Sequence, residues 1–247
     1  MLVLGIDTST PAGTVGLVNE DGVLAEDMLN IEETHSERLM PAVERMLQLT
    51  EKKPIDLCGI AVSLGPGSFT GARIGLTAGK TLAQALEIPI VGLTSLEILA
   101  YGLYSFPGLV CPVVDARHHR GYFSLYSLRA RTQGRTPLKD EPLQRLWQEE
   151  AASFQVIAGR LKEAAEQVAL VGNGVYPYQD LWQGLLGQQA VIPPAAFHYP
   201  RGGIIADLGR NKLVNGFEDQ LWELNPLYLK KPQAEINWEK RQKQIDR

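Results

Sequence analysis

Hydroxyl side chains and a cluster of glycines make the stretch 63–81, S-L-G-P-G-S-F-T-G-A-R-I-G-L-T-A-G-K-T, a candidate for phosphate chemistry. Gly65, Gly67 and Gly71 allow tight backbone paths, and Ser68 and Thr70 are residue types that cap helices. The free N–H groups at the start of a helix can bind an anion. The stretch therefore predicts either a phosphate-binding loop or a strand-to-helix turn with a hydroxyl cap, and the residues alone leave both open.

The Gly-Lys-Thr at 79–81 does not complete a Walker A loop. That motif needs a glycine five positions before the glycine of Gly-Lys, and Ile74 occupies this position. Lys80 would also lie about 15 Å from the start of the helix, because each helical residue rises about 1.5 Å. We expect no phosphate contact from Lys80.

Small residues at 71, 75, 79 and 83 repeat every four positions along the predicted helix. Glycine costs up to about 1 kcal/mol of stability at each helical position. A helix face with glycine at three positions therefore requires a structural or functional explanation. It allows another backbone to approach closely. Two explanations remain: close packing within the same domain, or an interface in which this helix and the preceding helix at 35–50 meet a partner protein.

The composition is that of an ordinary globular chain. It has 247 residues, 45% hydrophobic and 21% charged, with a net charge of −4. A protein that depends mainly on phosphate-backbone contacts is usually basic, so a dominant nucleic-acid platform is not expected. The two cysteines, Cys58 and Cys111, form no Cys-x-x-Cys motif, which excludes a zinc ribbon and disfavours a disulfide scaffold. The N-terminus lacks the pattern of a signal peptide, and a cytoplasmic location is expected.

The order of apolar runs predicts an α/β protein with an internal duplication. The first half has the pattern β-β-β-α-β-α-β-α. Asp7 ends the first strand and Gly13 follows six residues later, and Asp115 and Gly121 repeat this separation in the second half. The repeat favours two related β-β-β-α-β-α halves over one unrelated sheet.

These patterns suggest a division into two domains and a tail. We expect a first domain over 1–107, a second and smaller domain over 108–200, and a helix at about 203–214 that packs back on the first domain. The polar, turn-rich segment 129–142 predicts an exposed hairpin. Residues 225–247 predict a C-terminal tail, and its basic part, 230–247, is expected to be solvated.

Several motifs together resemble those of the TsaB (YeaZ) family. They are G-I-D-T-S-T at 5–10, T-H-S-E-R at 34–38, G-P-G-S-F-T-G-A-R-I-G at 65–75, V-D-A-R at 114–117 and N-P-L-Y-L-K at 225–230. The resemblance covers most of the chain and is weakest at 129–200. It implies an actin/Hsp70/sugar-kinase-like fold built from two RNase H-like halves, each a mixed sheet flanked by helices.

The resemblance also implies a function and partners. Proteins of this family support the synthesis of threonylcarbamoyladenosine in tRNA as non-catalytic subunits. The implied partners are the transferase TsaD and the ATPase TsaE, with a homodimer when the chain is alone and tRNA contacted only through the complex. No membrane association and no bound cofactor are expected, although weak nucleotide binding at a subunit interface remains open.

The pairing surface implied by the resemblance lies on the helices at about 35–50 and 68–86. The metal-binding pair His-x-x-x-His of the related catalytic subunit is broken here, because Leu39 stands four residues after His35. His118 and His119 are adjacent and would point apart in a strand, so no metal site is expected. The implied interface residues are His35, Arg38, Leu39, Ala42, Val43, Met46, Gly71, Ile74, Gly75, Ala78, Gly79 and Leu82.

Nucleotide contacts form a second hypothesis, under which the chain is a stand-alone ATP-dependent small-molecule kinase or ATPase. Kinase-like folds bind ATP through two aspartate turns and a late glycine turn. The turn after Asp7 resembles the first, but the turn after Asp115 lacks glycines. A structural role for Asp7, capping the hydroxyls of its own turn, is the other explanation. The candidate contacts are Asp7, Thr8, Ser9, Ser68, Thr70, Gly172 and Gly174.

Overall fold

The computed structural model describes residues 1–30, 35–128, 143–164 and 167–229. The predicted hairpin at 129–142 and the basic segment 230–247 lie outside these ranges. The elements of the first half are β1 (Val3–Asp7), β2 (Ala12–Asn19), β3 (Gly22–Asn30), α1 (His35–Leu49), β4 (Gly59–Ser63), α2 (Phe69–Leu86), β5 (Ile90–Leu93) and α3 (Ser95–Tyr101).

The first sheet has the strand order β3-β2-β1-β4-β5. β1, β2 and β3 form an antiparallel meander, whereas β4 and β5 run parallel to β1. β1 and β4 are buried at every position, as expected for central strands that are covered on both faces. The sheet is therefore mixed, with the parallel strands connected through α1 and α2.

The second half repeats this arrangement. Its elements are β6 (Leu109–Asp115), β7 (Arg120–Phe123), β8 (Tyr126–Leu128), β9 (Leu143–Arg145), β10 (Glu150–Ser153), α4 (Phe154–Ala164), β11 (Val168–Val171), α5 (Gln179–Leu186), β12 (Ala190–Val191) and α6 (Gly202–Val214). The main strand order of its sheet is β10-β7-β6-β11-β12, in which β6, β7 and β10 are antiparallel and β11 and β12 run parallel to β6. β8 pairs with β6 beside this order, and β9 pairs with β8. This confirms the predicted fold class of two mixed sheets flanked by helices.

Helix α6 returns from the second half and lies directly on the first sheet. Glycines on both sides make this approach close: a methyl group added at Gly202 would overlap the backbone of Val15 and Gly16, and one added at Gly209 would overlap Ala61. The N-terminus of α6 is held by the sheet as well, since the amide of Gly202 donates to Thr14 Oγ1 at 3.0 Å. The helix is thus fixed to β1, β2 and β4 largely through backbone contact.

A carboxylate from β3 completes the N-terminus of α6. Glu26 accepts a hydrogen bond from the Gly203 amide at 3.1 Å and forms an ion pair with Arg201. Burial alone would raise the pKa of Glu26, but the bonds from Arg201 and the Gly203 backbone outweigh it and lower that pKa. A negative group at a helix N-terminus is favourable because the helix dipole is positive there.

One hydrophobic core cluster spans the two sheets. α3 and α6 contribute Leu96 and Ile205 to it, and the sheets contribute Val3, Val91 and Val114. The two halves therefore share buried surface instead of meeting only through a linker.

The segment after α6 is packed on the first domain, which corrects part of the predicted tail. The Leu227 amide donates to the Leu64 carbonyl at 2.8 Å, and Leu224 is buried in the core. Tyr228 stacks on Phe69 with ring centroids 4.8 Å apart, and its hydroxyl accepts a hydrogen bond from Arg73 at 2.7 Å. Residues 225–229 of the predicted tail therefore pack on the first domain, with Tyr228 bound to α2 and Leu227 to the loop that precedes it.

The close approach of α6 gives a stability prediction. We expect Gly202→Ala to lower the free energy of unfolding by about 3 kcal/mol, because the new methyl group overlaps the Val15 carbonyl and the backbone cannot move away. Chemical denaturation followed by circular dichroism measures this change.

Gly159→Ala in α4 is the matched control, since a methyl group there meets nothing within 4 Å. It should raise stability by up to about 1 kcal/mol, because alanine favours the helix. Equal effects of the two substitutions would contradict the close packing of α6.

Candidate functional site

The turn after β1 carries four polar residues that are all buried. Asp7, Thr8, Ser9 and Thr10 each expose 2% or less of their surface. The Thr8 hydroxyl donates to the Gly71 carbonyl at 2.6 Å and accepts from the Gly75 amide at 2.9 Å. Thr8 thus bonds to two positions one turn apart in α2 and fixes that helix over the end of β1.

The N-terminus of α2 is occupied by the same turn. The Ser68 amide donates to the Ser9 carbonyl at 2.6 Å, and the Ser68 hydroxyl caps the helix by accepting from the Gly71 amide at 3.1 Å. The Ser68 and Gly71 amides, two of the groups that could bind a phosphate, therefore bond within the chain. The stretch that opened the sequence analysis is a strand-to-helix turn with a hydroxyl cap, while Thr70 is exposed to solvent beside it.

A cluster of buried serines lies beneath this turn. Ser95 Oγ is 2.7 Å from Ser9 Oγ and 3.0 Å from Ser63 Oγ. Ser63 and Ser95 are not among the site residues predicted from the sequence. Their positions at the end of β4 and the start of α3 contained the signal, because strand ends on the same edge of a parallel sheet meet in space.

Asp7 is fully buried beside the serines. Its Oδ1 accepts a hydrogen bond from the Ser9 amide at 3.0 Å, whereas Oδ2 has no hydrogen-bond partner within the described part of the chain. Burial raises the pKa of Asp7, and hydrogen bonds from Ser9 and Ser63 and the nearby His35 only partly oppose this. The full burial of Asp7 and its bond to the Ser9 amide favour the structural explanation for this residue.

The glycine face of α2 packs on the chain's own sheet, which corrects the interface assigned to it. A methyl group at Gly71 would overlap the Thr8 carbonyl, and one at Gly75 would lie 2.6 Å from Thr8 Oγ1. Gly79 faces Ile60 and Val62, each 3.4 Å from an added methyl group. These three positions are buried against β1 and β4, so they are not available to a partner. Close packing within the domain explains the repeat.

Three residues of α1 assigned to the interface are also buried. Leu39, Val43 and Met46 belong to the core cluster beneath α1 and α2. Their spacing is that of the inward face of an amphipathic helix, which sequence alone does not distinguish from a docking face.

Other predicted interface residues remain at the surface. Ala42, Ile74, Ala78 and Leu82 are half-buried along the two helices and pack at the edge of the same core cluster. Exposed apolar side chains stand on the same helices, with Met40 43% exposed and Phe69 38% exposed. We call these six residues the α1–α2 face.

His35 and Arg38 line a small cavity between α1 and the meander. Its volume is about 40 Å³, which is room for a few water molecules, and Asp27 and Thr14 also line it. His35 Nε2 is 3.1 Å from the Thr10 carbonyl oxygen. Among the described residues no group of three His, Cys, Asp or Glu side chains is placed to hold a metal ion.

The late glycine turn closes onto β6. Gly172 has φ +117°, and a methyl group there would overlap the Val113 carbonyl. The Gly174 amide donates to the same carbonyl at 2.9 Å, and Asn173 Oδ1 accepts from the Asp115 amide at 2.9 Å. Gly172 and Gly174 thus allow two backbone segments to meet, and they lie in the other half of the chain from Asp7.

The same glycine turn also contacts a buried histidine that was not predicted from the sequence. His198 is 1% exposed, with Nδ1 3.1 Å from the Gly172 amide nitrogen and Nε2 2.8 Å from the Pro193 carbonyl oxygen. A histidine after a proline pair carries no pattern that would reveal this role.

None of the helices in the described ranges is long and apolar enough to cross a bilayer.

The raised pKa of Asp7 predicts that burying this carboxyl costs more stability as the pH rises. The native state holds the Asp7 proton more tightly than the unfolded chain, so the contribution to stability is complete below the unfolded pKa. It is lost as the pH rises through the folded pKa. We therefore expect Asp7→Asn to raise the free energy of unfolding at about pH 8 by roughly 1–3 kcal/mol, since no buried carboxylate then lacks a partner.

The measurement is denaturation of both proteins from about pH 4 upwards, and the difference should grow with pH. Asp180→Asn is the control, because Asp180 is exposed on α5. It should change stability by less than about 0.5 kcal/mol at every pH. A destabilising effect of Asp7→Asn at high pH would contradict this account of the buried carboxyl.

Comparison with known proteins identifies the family of this chain. The family model of TsaD, the tRNA N6-adenosine threonylcarbamoyltransferase, matches residues 22–238. The tRNA threonylcarbamoyladenosine biosynthesis protein TsaB of Bacillus subtilis (strain 168) is 35% identical over 98% of this chain and 100% of its own length. The protein of the same name from Escherichia coli (strain K12) is 31% identical over 79% of this chain and 83% of its own.

Solved structures agree with the sequence relatives. YeaZ from Pseudomonas aeruginosa superposes with a TM-score of 0.75 at 26% identity, covering 92% of this chain and 99% of that one. A protein described as similar to peptidase YEAZ from Pseudomonas aeruginosa gives a TM-score of 0.76 at 27% identity, covering 93% and 99%. On full-length sequence and fold, the chain belongs to the TsaB (YeaZ) family.

Proposed function

We propose that this chain is a non-catalytic subunit that binds TsaD and activates transfer of the threonylcarbamoyl group to N6 of the adenosine beside the tRNA anticodon. Its membership in a family named for the biosynthesis of threonylcarbamoyladenosine supports the pathway. The observation that carries the subunit role is the turn after β1. Its polar groups bond to the chain's own α2, so α2 is held in place with its outer side toward solvent.

The α1–α2 face is the docking surface in this proposal. Met40 and Phe69 are exposed apolar side chains, and the half-buried Ile74, Ala78 and Leu82 form a row at four-residue spacing along α2. Apolar residues at helical spacing suit a helix of the partner that lies along the face. The face is also rigid, since the opposite side of α2 is bonded to Thr8.

The same proposal covers the other partners. TsaE joins the complex, the chain forms a homodimer through the same face when TsaD is absent, and tRNA meets this chain within the cytoplasmic complex. No cofactor of its own is required, and any nucleotide would bind at a subunit interface. The competing function, a stand-alone kinase, would need Asp7 exposed to a nucleotide, and Asp7 is fully buried.

The decisive experiment mixes the chain with TsaD and measures mass by size-exclusion chromatography with light scattering. We expect a one-to-one complex that replaces the homodimer. Ala78→Arg should weaken complex formation at least tenfold, because it places a charge within the apolar row, while circular dichroism stays unchanged.

Ala164→Arg is the matched control, since it makes the same chemical change at an exposed helix end on the second half. It should bind TsaD like the parent. Equal binding by the two variants would remove the α1–α2 face from the proposal. Absence of any complex, together with tight Mg-ATP binding by the chain alone in a calorimetric titration, would favour the kinase instead.

A further inference from the structure

The turn between β6 and β7 has an unusual backbone. Arg117, His118 and His119 have φ angles of 63°, 56° and 53°, so three successive residues other than glycine are left-handed. Side chains with a Cβ disfavour this region, and residues that enter it do so singly as a rule. Strain of this kind persists where the surroundings fix it, and it concentrates at functional positions.

Hydrogen bonds and ring contacts fix the turn in place. The Arg117 amide donates to Asp115 Oδ1 at 2.9 Å, and the Ala116 amide donates to the Arg120 carbonyl at 2.9 Å. The His119 carbonyl accepts from the Phe154 amide at 3.0 Å, and the His119 ring packs against the rings of Phe154 and Tyr178. None of these hydrogen bonds uses the side chain of Arg117 or His118, so the fold does not explain why these residue types stand here.

The turn concentrates positive charge on a chain whose net charge is −4. Residues 117–120, R-H-H-R, are all exposed. Arg45, Arg145, Arg160 and Arg201 each pair with a carboxylate, whereas no ion pair of Arg117 or Arg120 is found among the described residues. Arg120 donates instead to the Ala151 carbonyl at 3.3 Å, which directs its guanidinium along the edge of the sheet.

Two guanidinium groups held on a rigid turn suit phosphate oxygens, because each offers several donors in a planar fork. The turn projects into solvent, which fits a chain of phosphates better than an enclosed small molecule. We propose that the turn at 117–120 contacts the phosphate backbone of tRNA. This inference rests on the proposed function for the nature of the RNA, and it adds a contact on the second half of the chain, away from the α1–α2 face.

The test uses the double variant Arg117→Asn/Arg120→Gln and a fluorescently labelled unmodified tRNA transcript. Asparagine tolerates the left-handed conformation, and glutamine keeps a donor for the Ala151 carbonyl. Anisotropy titrations at several salt concentrations give the affinity and its salt dependence, for the full chain alone and with TsaD. We expect weaker binding and a log–log salt slope that is shallower by about two, or about one for each lost phosphate contact.

A melting temperature equal to or above the parent's is expected at the same time, because Arg117→Asn relieves strain. Loss of affinity together with an intact or more stable fold distinguishes a binding role from a structural one. Lys162→Gln is the control, since it removes an exposed cation of α4 outside the turn. It should leave the affinity and the slope unchanged.

The failures of the two proposals can be told apart. If chromatography shows no complex with TsaD, the subunit role fails, and the tRNA titration of the chain alone still decides the role of the turn. An unchanged salt slope in both settings, or no tRNA binding by the parent in either, overturns the phosphate contact. Mg-ATP binding that is lost in the double variant while tRNA binding is retained would assign the turn to a free nucleotide and also overturn it.

Discussion

The Thr8 hydroxyl bonds to the Gly71 carbonyl and the Gly75 amide of α2, and the position of that helix depends on this pair of bonds. The contact requires glycine at both helical positions, because a Cβ on either would meet the backbone or hydroxyl of Thr8. Once α2 lies this close to β1, the turn after β1 is buried and its polar groups must bond within the chain. The burial of Asp7 and the position of the α1–α2 face both follow from it.

The same principle appears at the other junctions of the fold. Gly202 and Gly209 bring α6 onto the first sheet, and Gly172 brings the late turn onto the Val113 carbonyl. In each case a missing side chain lets two backbone segments meet, and hydrogen bonds then use the groups that this contact buries. A fold held in this way leaves little freedom at the strand ends, where kinase-like proteins bind nucleotide.

The sequence predicted the architecture better than the site. The matching separations of Asp7 and Gly13 and of Asp115 and Gly121 reflect a repeated strand-turn-strand unit, and such local patterns do not depend on what packs outside them. The glycine repeat in α2 was harder to interpret. Periodicity shows that one face is bare, but it does not say whether that face meets the chain's own sheet or another protein. The serine cluster was missed because Ser9, Ser63 and Ser95 are far apart in sequence, and only the shared edge of the parallel strands brings them together.

The corresponding turns of the two halves differ in burial. In the first half the turn after the aspartate is buried under α2, and neighbouring hydroxyls only partly offset the cost of burying Asp7. In the second half Arg117 to Arg120 stay exposed in a strained backbone, and no glycine-faced helix among the described residues covers them. A duplicated element can diverge in this manner because its strands, and not its turn, hold the core. The buried turn then serves the fold, and the exposed one is free to serve binding.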